Sequence, residues 1–197
     1  MIVRGAQVLT PDGWIETDVV IEAGTIASLG TAPSGGAEEI DGRGKYLGPG
    51  FVDLHVHLRD PGQTWKEDIE TGSSSAARGG FTAVVAMPNT DPPTDTGERV
   101  SQMIERAKRV SAVDLIPAGT LTAGRAGAEM AGLDDMYEQG VRVFTDDGDT
   151  VGDAGLLRRI MEYLADRDGA VVAQHAEDRS IAGGGHLHEG RVSRELG

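Results

Sequence analysis

Apolar and polar positions follow two rhythms that change near residue 49. Up to about residue 48 the apolar residues come in brief or alternating runs: AQVLT, DVVIEAG, TIASLG, EEIDGRG and KYLGPG. These are broken at Pro11–Asp12–Gly13, Ala23–Gly24 and Pro33 to Gly36. No helical period of useful length interrupts them, so residues 1–48 read as short strands of a small β-sandwich. From residue 49 to 197 the rhythm changes. Apolar runs suited to buried strands fall at 51–57, 82–87, 113–118, 141–145 and 170–175. Helix-like stretches separate them at 64–79, 97–110, near 129–139 and at 153–167. The last of these carries Leu156, Leu157, Ile160, Met161 and Leu164 as one apolar stripe. Strands alternating with helices at this spacing predict parallel βα units. The pattern permits a doubly wound sheet or a (β/α)8 barrel, and in both the chemistry gathers at the carboxyl ends of the strands.

Four of those ends hold reactive side chains. The first strand ends on His55 and His57, followed by Arg59 and Asp60. On a strand the two histidines share a face, with Cβ atoms roughly 6–7 Å apart, a spacing at which both imidazoles can reach one metal ion. The second end gives Asn89. The fourth gives Asp146, Asp147 and Asp149, and the fifth gives His175 with Glu177 and Asp178. Three of the five histidines fall at strand ends, which favours a metal site over two polar residues on a wet strand face. Arg59, one alternation beyond His57, suits either a two-pronged clamp on a substrate carboxylate or an ion pair with Asp60 or Glu67. Glu67 and Asp68 read as the start or cap of the first helix, and Gly79–Gly80 as its terminator.

Composition narrows the chemistry. The formal charge of −14 and a pI near 4.6 argue against nucleic acid or an anionic membrane surface as partner. There is no cysteine, so any metal is held by His, Asp or Glu, a donor set that suits Zn²⁺, Mn²⁺, Fe²⁺ or Co²⁺. No stretch approaches the ~20 apolar residues of a membrane span, and the first residues lack an apolar leader core, so a cytoplasmic location is expected. No phosphate-cradling glycine motif follows a strand.

The segments PGFVDLHVHLRDPGQTWKEDIETG, GGFTAVVAMPNTDPPTD, VFTDDG and HAED, with HEGRVS downstream, resemble the bacterial type I dihydroorotases of the amidohydrolase superfamily. The resemblance runs from about residue 2 to the last residue. It implies the first five units of a distorted (β/α)8 barrel, preceded by part of a β-sandwich built from both chain ends. It also implies reversible, zinc-dependent closure of N-carbamoyl-L-aspartate to L-dihydroorotate in pyrimidine biosynthesis, with one or two ions per site. By motif match, His55 and His57 would bind the more buried metal. Asp147 would bridge two metals where many relatives use a carboxylated lysine, and His175 would bind the second. Arg59 and Asn89 would hold the substrate carboxylate. The absence of lysine from VFTDDG favours this class over hydantoinase or allantoinase.

The family's strand-six histidine and its proton-shuttling strand-eight aspartate would lie beyond Gly197, so no proton shuttle is expected within residues 1–197. His186 and His188 follow Gly183–Gly184–Gly185 and read as a loop over the site rather than as those ligands. A fragment of a longer enzyme is therefore expected. The alternatives are a non-catalytic partner of aspartate transcarbamoylase, or a chain completed by another chain. A homo-oligomer is the expected assembly.

Overall fold

A computed structural model describes residues 1–33, 35–182 and 188–196. It divides into two units, Met1–Gly50 and Phe51–Gly197. In the first, β1 (Ile2–Thr10) pairs antiparallel with β2 (Gly13–Glu22), and β2 pairs antiparallel with β3 (Thr25–Leu29). Two short strands, β4 (Glu39–Asp41) and β5 (Tyr46–Leu47), lie parallel to β1. The Pro11–Asp12 turn closes onto Gly13, whose φ of +113° suits only glycine. One face of the sheet buries Val3, Ala6, Val8 and Val19.

The second unit alternates strand and helix: β6 (Phe51–Val56), α1 (Ile69–Arg78), β7 (Phe81–Ala86), α2 (Gly97–Val110), β8 (Asp114–Pro117), α3 (Leu133–Glu138), β9 (Val143–Phe144), α4 (Ala154–Leu164) and β10 (Val171–Val172). Two short helices follow, α5 (Arg179–Ala182) and α6 (Arg191–Leu196). β6, β7 and β8 form one parallel sheet and β9 and β10 another. A parallel bridge between Gly119 and Phe144 links the two, so the strands run side by side in chain order. β6 and β10 are the edge strands, and Phe51, Val52 and Leu54 on β6 are exposed.

Element boundaries differ from the sequence expectation where side chains intervene. α1 starts at Ile69 rather than 64, because the Asp68 carboxylate accepts from the Thr71 N–H and closes a capping box. The apolar stripe of α4 is narrower than expected. Leu156, Ile160 and Leu164 are buried, while Met161 faces solvent. The fourth and fifth strands shrink to two residues each, since Thr145 hands the chain to a polar turn directly after Phe144. Two main clusters fill the interior. One surrounds Phe144, Met136, Leu133 and Ile160; the other surrounds Ile69, Val84 and Met103. Among the described residues, no helix is long and apolar enough to cross a membrane.

Candidate metal centre

His55 lies within β6 and His57 one residue past its end, so strand alternation turns both imidazoles the same way. Their ring centroids are 5.1 Å apart, edge to face. Asp147 reaches them from the turn after β9. Its Oδ1 is 3.0 Å from His55 Nε2 and its Oδ2 is 3.6 Å from His57 Nε2. One ligand atom from each of the three residues lies within 4.8 Å of the others. Around a tetrahedral zinc with N and O ligands at ~2.0–2.1 Å, neighbouring ligand atoms are ~3.4 Å apart. The donor types and their separations therefore fit a divalent cation. His55 is 56% exposed and Asp147 only 9%, so the carboxylate forms the floor and the imidazoles the open side.

Local bonding aims these groups. The Asp147 N–H donates to Thr145 Oγ1 at 3.1 Å, and Gly148 follows with φ +78°. Asn89, just past β7, donates from Nδ2 to Asp147 Oδ2 at 2.8 Å, which leaves its Oδ1 facing His57 Nδ1 at 3.0 Å. An amide oxygen only accepts, so His57 Nδ1 is the donor in this contact, and Nε2 is left directed toward Asp147. Arg59 adopts φ +47°, and its Nη1 donates to the Asn89 carbonyl at 3.2 Å. Asp60, the neighbour that could have paired with Arg59, is turned to Arg106 Nε at 3.4 Å.

His175 is not brought into this group. It is half-exposed and its Nε2 lies 3.1 Å from Glu177 Oε2. Asp146, adjacent to Asp147, is buried, and its carboxylate accepts from Leu121 N at 2.8 Å, Thr122 N at 3.0 Å and the Thr122 hydroxyl. It is directed to that loop and is not part of the group that converges with the two histidines. His186 lies outside the described residues, and His188 is exposed.

Residues 44–197 match a family model described as dihydro-orotase-like. The chain belongs to that family. Its full length is 43% identical to a dihydroorotase of Aquifex aeolicus, of which it covers 47%, and 45% identical to one of Pelotomaculum thermopropionicum, of which it covers 46%. It thus spans about half the length of the curated relatives it matches. Among solved structures, 92% of the chain superposes on 42% of an L-hydantoinase (dihydropyrimidinase) from Arthrobacter aurescens, with a TM-score of 0.79 and 27% identity. A D-hydantoinase from Bacillus sp. AR9 gives a TM-score of 0.72 at 25% identity, over 92% of this chain and 41% of that one.

In this dihydro-orotase-like chain, sequence reasoning passed over the third strand end. There the segment LTAGR turns back beneath Asp147, and Arg125 contacts the whole aspartate turn. A lone arginine in a small-residue loop gives little signal of its own. The usable clue was position: LTAGR follows a strand at the end where the other site residues gather.

Proposed function

We propose that the chain is the metal-binding half of a dihydroorotase, which cyclises N-carbamoyl-L-aspartate to L-dihydroorotate reversibly and requires zinc. The observation that carries this reading is the convergence of His55, His57 and Asp147 on one point beside Arg59. Whole-length similarity to dihydroorotases supports it. His55, His57 and Asp147 would hold the first ion. His175 joins for a second by exchanging its contact with Glu177. A zinc ion held by these residues would supply Lewis acidity toward a carbonyl and a water. Arg59 contributes a guanidinium for the substrate carboxylate. Asn89 donates to the same carboxylate once a cation competes for Asp147 and releases the amide N–H.

On this reading the five βα units are the first of a (β/α)8 barrel, and further strands cover the open edges at β6 and β10 and the exposed Phe51, Val52 and Leu54. Those same open edges favour one second reading, a non-catalytic chain that docks on aspartate transcarbamoylase. The test is hydrolysis of dihydroorotate, hydantoin and allantoin by the purified gene product, with and without zinc. Zinc-dependent opening of dihydroorotate alone supports the proposal. Turnover of hydantoin instead moves the assignment to a hydantoinase. Activity on none of the three, from a reading frame closing at Gly197, moves it to the partner. Where dihydroorotate is turned over, Arg59→Met raises KM, and an unchanged KM removes Arg59 from the role.

A further inference from the structure

Arg125 sits between the loop after β8 and the turn that carries Asp147, and both Nε and Nη2 of its guanidinium donate to that turn. Nε donates to the Asp146 carbonyl at 2.9 Å. Nη2 donates to the Asp147 carbonyl at 2.7 Å and to the Asp149 carboxylate at 2.5 Å. The side chain is only 18% exposed. Its backbone is in the left-handed region, φ +59°, directly after Gly124 at +58°. A non-glycine residue held there signals that the surroundings enforce the conformation.

The surroundings do so from several sides. Gly124 N–H donates to Asp95 Oδ2 at 2.8 Å, and the Arg125 N–H donates to the Thr122 carbonyl at 3.0 Å. Thr122 is itself tied to the Asp146 carboxylate through its N–H and hydroxyl, and its Oγ1 accepts from Gly127 N at 3.0 Å. The two loops therefore grip each other reciprocally. Asp146 holds the backbone of residues 121 and 122, and Arg125 holds the carbonyls of residues 146 and 147. Gly148 follows in the left-handed region at φ +78°, a backbone that favours glycine.

The geometry points to Arg125 as a positioning residue that fixes the Asp146–Asp147 peptide, so that the Asp147 carboxylate faces His55 and His57 before any cation arrives. It does not touch the cation site itself. It presets a ligand that would otherwise sample the rotations of a glycine-containing turn. This inference rests on the metal-centre reading above. Lysine cannot replace Arg125, because one ammonium cannot reach two carbonyls and a carboxylate in the fixed fork that a guanidinium provides.

The test compares Arg125→Lys with the unmodified chain in two readouts: zinc affinity by chelator competition, and amide hydrogen exchange at Asp147 and Gly148 in the zinc-free protein. The expected result is a ~10–100-fold loss of zinc affinity, the usual scale for an outer-shell contact, with faster exchange at those two amides and unchanged exchange at Val84 and Val100. Equal zinc affinity in the two proteins overturns the proposal, as does unchanged exchange. If the unmodified chain binds no zinc but the exchange difference appears, the metal reading fails while the clamp stands. Should Arg125→Lys not fold, Arg125→Gln, which cannot span both carbonyls, replaces it. The same loss of zinc affinity and faster exchange at Asp147 and Gly148 are then expected, and no loss overturns the proposal.

Discussion

Each of the two units centres a cluster of charges on one aspartate, and the clusters are finished differently. In the first unit Asp18 accepts from Gly5 N at 2.9 Å, Ala32 N at 3.0 Å and Arg4 Nη1 at 2.9 Å. Arg4 Nη1 and Nη2 also donate to the carbonyls of Ala32 and Pro33 and to Glu39. These mutual contacts tie β1, β2, β4 and the segment at residues 32–33 together. In the second unit Asp147 faces two neutral-capable imidazoles whose ring nitrogens point at the same carboxylate, with His55 open to solvent. A closed cluster reads as architecture, an open one as a site. The same contrast separates the neighbours Asp146 and Asp147, one enclosed by Leu121 and Thr122 and the other turned to His55 and His57.

The largest expected effect comes from the open cluster. Asp147→Asn should lower zinc affinity by more than the ~10–100-fold of an outer-shell change, measured by chelator competition, with little change in the urea midpoint of the zinc-free chain. Unaltered zinc affinity would erase the contrast between the two clusters.

Next, Asp146→Ala strands two buried N–H groups and a hydroxyl. At ~1–3 kcal/mol for each unsatisfied buried group, partly relieved by relaxation, it should cost roughly 2–4 kcal/mol in urea unfolding. A loss under ~1 kcal/mol would show that Asp146 is not the enclosed partner described above.

A smaller, pH-dependent effect belongs to Asp18. Backbone donation from Ala32 and Gly5, followed by Arg4, holds its carboxyl below the usual range. With the folded value below the unfolded one, near 3.9, its contribution is present above about pH 4 and lost as pH falls through the folded value. Trp14 and Trp65 are the two tryptophans, so in a Trp65→Phe background the fluorescence of Trp14 reports on the first unit. Its urea midpoint should fall as pH drops below about 4, and Asp18→Asn should flatten that fall. An identical slope in both proteins would count against the closed cluster.

The smallest effect is at the surface pair Arg158–Glu162, both well exposed at 2.7 Å. Arg158→Ala should change the unfolding free energy by no more than ~0.5 kcal/mol, setting the baseline against which the Asp146 change is judged.

What the sequence made legible follows from the range of the forces involved. His55 and His57 were readable because strand alternation is local, and the Asp68 cap because it acts within one turn. Choosing Asp147 over Asp146 needed the family resemblance. The two acids are adjacent and alike, and what separates them is donation from Leu121 and Thr122, about 25 residues earlier. The strand expected at 141–145 covers only Val143–Phe144, because apolar content carries no sign of the turn at Asp146 to Gly148. The Arg59 side chain could be placed at the mouth but not its contact with the Asn89 carbonyl, which depends on a left-handed backbone. Arg125 left no periodic trace at all.

Zinc K-edge X-ray absorption on the zinc-loaded chain tests the central claim most directly. The account predicts imidazole scattering from two histidines together with oxygen, at ~2.0–2.1 Å, and loss of the imidazole signal in the His55→Ala, His57→Ala double variant. A spectrum that the double variant leaves unchanged would contradict it.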